Sequence, residues 1–152
     1  MSLELIFKLC NIIALIGWVL NIISNKPQVE RFIVGIIVAL LAIVYTYFVI
    51  VSFKFSDAQS FSSLHGVRSL FADDQLLMAG WVHYLAFDLM TGVIIRNNAK
   101  KYSISFWLVL PCLLFTFMLG PAGLLMYLLI WRLRSKFTTV SAQSLPLLND
   151  LL

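Results

Sequence analysis

Charge is scarce in this chain. Only 12% of its 152 residues are Asp, Glu, Lys or Arg, and 61% are hydrophobic. Soluble domains carry about a quarter charged residues and less than half apolar ones, so a water-exposed globular fold is excluded. Cysteine is sparser still. Cys10 and Cys112 both lie inside apolar runs, which argues against a disulfide framework or a thiolate metal cluster and leaves two packing residues. Histidine occurs twice, and His65, His83, Asp73 and Asp74 show no ligand spacing, so no metal is expected. There is no Gly-rich phosphate loop, no nucleophile elbow and no paired-carboxylate motif, and no cofactor is expected. The net charge of +4 comes from basic residues that flank apolar runs. That placement suits anionic headgroups and not nucleic acid, which would require a basic cluster with interleaved aromatics.

What is present is long apolar sequence. The expected architecture is an all-α integral membrane protein, a four-transmembrane-helix bundle forming one domain over residues 1–136. The spans fall at about 3–23, 32–53, 75–95 and 104–131, each reaching the roughly 20 residues needed to cross a bilayer. The first lacks a basic n-region and a cleavage site, so it reads as a retained span and not a signal peptide. Asn11 and Asn21 interrupt it and are placed to hydrogen-bond a neighbouring helix. Between spans two and three, Phe61, Leu64, Val67 and Phe71 recur every three or four residues, the pattern of a short amphipathic helix on the membrane surface. Asp57 or Ser60 is expected to cap it, and Asp73 or Asp74 to cap span three.

The last apolar stretch holds Pro111 and Gly120-Pro121-Ala122-Gly123. These prolines free the carbonyls of Trp107 and Phe117, predicting a kink towards the bundle. Residues 137–152 read as a mobile tail. With four crossings, six basic residues (Lys8, Lys54, Arg68, Arg132, Arg134, Lys136) face five (Lys26, Arg31, Arg96, Lys100, Lys101). That balance is too even for the positive-inside rule to decide orientation, and cytoplasmic termini are taken as the expectation.

Chemistry concentrates in span three. At about 100° per residue, His83, Phe87, Gly80, Thr91, Tyr84, Asp88 and Trp81 fall on one half of the helix. Met78, Ala79, Val82, Leu85, Ala86, Leu89, Met90 and Val93 fall on the other. The polar-aromatic half is expected to face the bundle and the aliphatic half lipid. Asp88 and His83 are the acid and histidine deepest in any span. A charge at that depth costs at least about 2.5–3.5 kcal/mol, so Asp88 requires a partner or a task. Tyr84, one turn away, is placed to hydrogen-bond it, and the three make a candidate acid–base set. The structural alternatives are a tie from Asp88 to another span or to Arg96, and a contact of His83 with a carbonyl freed near Pro121.

Four blocks carry a family resemblance: Ser63-Leu64-His65-Gly66-Val67-Arg68-Ser69-Leu70-Phe71, Ala79-Gly80-Trp81-Val82-His83-Tyr84-Leu85-Ala86-Phe87-Asp88-Leu89, Leu110-Pro111-Cys112-Leu113-Leu114, and Thr116-Phe117-Met118-Leu119-Gly120-Pro121-Ala122-Gly123-Leu124-Leu125. In these the chain resembles the abscisic-acid-deficient-type, neoxanthin synthase-like membrane family. The resemblance implies a carotenoid-like lipophile as ligand and a cofactor-independent isomerisation of an epoxide to an allene. Asp88, His83 and Tyr84 are the expected catalytic groups. Trp81, Phe87, Thr91, Phe117, Gly120, Pro121, Gly123, His65 and Arg68 are the expected substrate-binding groups. The rival reading is a non-enzymatic lipophile-binding or assembly subunit with a membrane protein or a second copy as partner. A proton pathway would want several intramembrane acids in series. With no plastid transit sequence, a bacterial-type member in the inner membrane is expected.

Overall fold

A computed structural model describes residues 2–24 and 27–135. The tail expected at 137–152 lies outside the described residues. Within them the regular structure is helical: α1 (Leu3–Ile23), α2 (Pro27–Ser52), a 3₁₀ helix (Phe55–Ser62), α3 (Leu64–Leu70), α4 (Asp74–Lys101), α5 (Phe106–Leu119) and α6 (Pro121–Ser135). Three of these, α1, residues 32–52 of α2, and α4, are long and apolar enough to cross a membrane. The chain divides into two compact units, Met1–Met90 and Thr91–Leu152, with the boundary inside α4.

In the first unit, α1 buries Cys10, Ala14, Gly17, Trp18 and Asn21, a stripe of one helical face. On α2 the buried apolar residues are Val34, Ile37, Leu41 and Phe48. The opposite faces stay apolar and exposed, with Ile12 at 54% and Ile43 at 64%. Such faces are viable against lipid tails and not against water. The helices meet where a small residue lets them approach. A Cβ on Gly17 would lie 2.6 Å from Leu89 Cδ2 and 3.5 Å from Ile37 Cδ1. Asn11 meets Trp81 and Gly17 meets Leu89, so α1 and α4 run in the same direction.

In the connection from α2 to α4 the cap expected of Asp73 is present, but α3 is capped by Ser63 and not by Asp57 or Ser60, and Asp57 reaches back within the 3₁₀ helix. Lys54 N donates to Asp57 Oδ2 at 2.9 Å and Gly66 N to Ser63 Oγ at 3.0 Å. Asp73 Oδ1 accepts from Gln75 N and Leu76 N at 2.9 and 3.0 Å. The amphipathic segment is two short helices, since Ser63 takes an extended conformation between them. None of the residues of α3 is buried. Phe71 packs at its end against α4, with its ring edge 2.5 Å from where a Cβ on Gly80 would sit.

The second unit corrects the expectation of a single kinked span over 104–131. The helix stops at Leu119, Gly120 takes φ 42°, and α6 starts at Pro121. Only a glycine enters that backbone region readily, and proline is pre-shaped for a first helical turn. The chain reverses completely. A Cβ on Gly123 would collide with the backbone nitrogen and Oγ1 of Thr116 and lie 2.5 Å from the Cys112 carbonyl oxygen, eleven residues back. Along one continuous helix that separation would be about 16 Å. Farther along, the Tyr127 hydroxyl donates to Asn98 Oδ1 at 2.6 Å, and the Trp131 ring lies 5.9 Å from Tyr102. Thus α6 runs back alongside α5 towards the C-terminal end of α4, forming a helical hairpin. Glycine and the small Thr116 permit the close contact, and Thr116 satisfies its own hydroxyl by donating to Cys112 O at 2.7 Å.

Candidate functional site: a buried carboxyl on the α4 ridge

The α4 helix faces the opposite way from the sequence expectation. Met78, Ala79, Val82, Leu85, Ala86 and Leu89, expected towards lipid, are all buried, whereas Trp81 and Phe87 are exposed, as is His83. Association between helices in lipid rewards close fit over polarity. The aliphatic face of α4, with Ala79 and Ala86, packs tightly where an indole or imidazole would hold the helices apart. Met90 is exposed as expected, Gly80, Tyr84, Thr91 and Val93 are half-buried, and the largest departure is Asp88. It lies at the seam between the two arcs and is only 8% exposed.

Around Asp88 the side chains at spacings of three and four form a ridge along α4. Tyr84, half-buried, hydrogen-bonds its hydroxyl to the Asp88 carboxyl. Its ring lies 5.5 Å from Trp81, whose ring lies 5.7 Å from Phe7 of α1. The Trp81 indole nitrogen donates to Asn11 Oδ1 at 3.2 Å, and Asn11 Nδ2 donates to its own helix at Phe7 O, 2.8 Å away. Asn11 thus fulfils the role of inter-helix bonding partner expected of it, orienting Trp81, which supports Tyr84, which holds Asp88. The second carboxyl oxygen of Asp88, Oδ2, is buried and has no hydrogen-bond partner among the described residues. A buried acceptor left in that state carries a cost of about 1–3 kcal/mol.

His83 does not join this group. Five residues separate it from Asp88, about 140° around α4. It stacks on Phe87 with ring centroids 4.4 Å apart and lies 5.5 Å from Tyr45 of α2. Thr91 is half-buried one turn beyond Asp88. Phe117, Gly120, Pro121 and Gly123 belong to the hairpin, where Gly120 makes the turn and Gly123 the close contact. His65 and Arg68 are exposed on α3, where Arg68 lines an open groove with Leu64, Val67, Phe71 and Ala72. Among the described residues no three His, Cys, Asp or Glu side chains gather as a metal site.

Two participants escaped the sequence reading: Phe7 and Tyr45 are ordinary apolar-run aromatics until the helices are packed. Asn21 carried the same signal as Asn11 but behaves differently. It is 0% exposed, and neither its amide nitrogen nor its oxygen has a partner among the described residues.

No curated protein and no solved structure matches this chain. A family model described as ABA4-like, ABA DEFICIENT 4-like, matches residues 5–127. That stretch runs from the first turn of α1 into α6 and takes in the whole α4 ridge and the hairpin turn. The chain belongs to the ABA4-like family.

Proposed function

We propose that this protein is a cofactor-independent isomerase of a membrane-dissolved isoprenoid, a carotenoid-type epoxide, with Asp88 as its acid–base group. The observation that carries the reading is the Asp88 carboxyl: buried in a membrane span, tied to Tyr84 through one oxygen, and with Oδ2 unclaimed among the described residues. Family membership supports the substrate class.

The chemistry balances on that one side chain. Protonated Asp88 gives its proton to the epoxide oxygen as a ring C–O bond opens, leaving a hydroxyl. The carboxylate then takes the proton from the adjacent vinylic carbon, and the released C–H electron pair becomes the second double bond of an allene. One proton is given and one regained, no electrons leave the substrate, and the acid is regenerated. Tyr84, donating to the carboxyl, stabilises the anionic state between the two steps. Trp81 and Tyr84 offer aromatic surface to the polyene. The proposed location is a bacterial inner membrane.

A second reading has its own support. Trp81, His83 and Phe87 expose an aromatic face on α4, which suits a subunit that presents a lipophile to a membrane partner or to a second copy. The two readings separate in cells that accumulate an epoxy-carotenoid, expressing wild type or Asp88→Asn. A rearranged carotenoid isomer with wild type, and only epoxide with the variant, supports the isomerase. Unchanged epoxide bound to both proteins sinks it and favours the carrier.

A further inference from the structure

The hairpin changes how the basic residues divide between the two sides of the membrane. We infer that α5 and α6 enter and leave the bilayer from one side, so that the ends of α4 and α6 form a single cationic collar that binds anionic headgroups and fixes the termini on opposite sides.

Three observations from the second unit carry this. First, the chain reverses: Asn98 and Tyr102 at the end of α4 touch Tyr127 and Trp131 near the end of α6. Second, α5 does not match a full crossing, and the described part of α6 is of similar length. α5 has 14 residues and α6 has 15, or about 21 and 22 Å of rise against a hydrocarbon core of about 30 Å. Third, the tip suits hydrocarbon. Met118-Leu119-Gly120-Pro121-Ala122 has no charged side chain, and Met118 and Leu119 are exposed. Irregular backbone at that depth must satisfy itself, and the turn supplies three such bonds. Gly120 N donates to Thr116 O at 2.9 Å, Gly123 N and Leu124 N donate to Gly120 O at 3.1 and 3.3 Å, and Pro121 has no N–H to satisfy. At the opposite end of the hairpin, Tyr102, Phe106, Trp107 and Trp131 gather, the residue types enriched where spans meet headgroups.

The charge count follows. Lys100 and Lys101 of α4 and Arg132 and Arg134 of α6 are exposed at the same end of this unit. With three crossings and a re-entrant hairpin, Lys8, Lys54 and Arg68 fall on one side. Arg31, Arg96, Lys100, Lys101, Arg132 and Arg134 fall on the other. Among the described residues that is six against three, where four crossings would leave five against four, and it is a clear positive-inside bias. The collar side is therefore cytoplasmic, the leaflet richest in anionic lipid, and the N-terminus lies outside.

The test labels single added cysteines with an impermeant maleimide in right-side-out and inverted vesicles; Cys10 and Cys112 are buried. Ser2→Cys should label only from outside. Ser105→Cys and a cysteine added after Leu152 should label only from inside. If the added C-terminal cysteine labels from the side opposite Ser105→Cys, the hairpin crosses and the inference falls. A quadruple Glu variant at Lys100, Lys101, Arg132 and Arg134 should insert in mixed orientation and, by native mass spectrometry, retain several-fold less phosphatidylglycerol. Unchanged orientation and unchanged retention would overturn the collar's role.

Discussion

Gly123→Ala is the smallest change that should open the hairpin. In an exposed helix, glycine to alanine gains about 1 kcal/mol of propensity. At Gly35 no atom lies within 4 Å of the added methyl, so Gly35→Ala should be neutral or slightly stabilising. At Gly123 the same methyl meets the Thr116 backbone nitrogen and the Cys112 carbonyl oxygen, the latter at 2.5 Å. That is about 1 Å inside ordinary contact distance. Backbone atoms of a hydrogen-bonded helix cannot rotate away, so α6 must move off α5. Overpacking of this kind costs about 1–3 kcal/mol, and the propensity gain offsets only part of it. Moving α6 away also uncovers Cys112, which is 0% exposed and whose carbonyl is part of the contact. Two assays in detergent read the outcome: a melting curve, and maleimide labelling of Cys112 with Cys10 as internal control. The expected result is a lower Tm and faster labelling at Cys112 alone, with Gly35→Ala unaffected. Thr116→Ala should rescue Gly123→Ala only in part, since it removes Oγ1 and leaves the nitrogen. If Gly123→Ala melts with wild type and Cys112 stays inert, the helices are not packed at this point and the hairpin argument fails.

Other predictions concern buried polar groups and the candidate site. Tyr127→Phe leaves Asn98 Oδ1 without its 2.6 Å donor and should cost about 1–3 kcal/mol. Tyr127→Phe with Asn98→Leu should recover most of it in chemical unfolding. Asn21→Leu replaces a fully buried amide that has no partner among the described residues, and should raise stability by about 1 kcal/mol or more. A loss of stability would show that Asn21 holds a bound polar group. On the proposed reading, Tyr84→Phe should cut isomer formation by about tenfold or more through the loss of one hydrogen bond to a charged group. His83→Ala should leave it within a few-fold, both measured as product per purified protein. Equal losses in the two would return His83 to the chemistry.

The helices themselves were legible from apolar run length. The first expected span has the same limits as α1, and Asp73 caps α4 because an acceptor ahead of an apolar run has one favoured role. The family was legible from the strings around His83 and Gly120. Two things were not. Gly-Pro inside an apolar stretch is compatible with a kink or a reversal, and what decides is the fit of Gly123 against Thr116 and Cys112. That contact lies seven to eleven residues away, beyond any local pattern. The packed face of α4 was not legible because a helical wheel ranks faces by polarity. In water the apolar side is buried, and the expectation for a membrane inverts that rule. The structure shows neither rule at work, since Leu89 is buried because Gly17 leaves room for it.

The seam position of Asp88 bears directly on how a long lipophile meets an acid. A carboxyl at the centre of the α1–α2–α4 packing would require the helices to part before any ligand arrived. One on the lipid face would lack the hold that keeps it in place, at a desolvation cost of several kcal/mol. Asp88 lies between these cases, buried but at the edge of the packed arc. The packed arc of α4 begins beside it, and Tyr84 fixes one of its oxygens. The ridge from Trp81 through Tyr84 leads along α4 to the carboxyl, and Trp81 is 40% exposed at its start. On the proposed reading, a polyene lying along that ridge in the plane of the bilayer brings its oxygenated end beside Asp88, and only the side chains covering Oδ2 must give way for contact. The rest of its length stays in lipid, which makes the site selective for the end group and tolerant of the chain behind it.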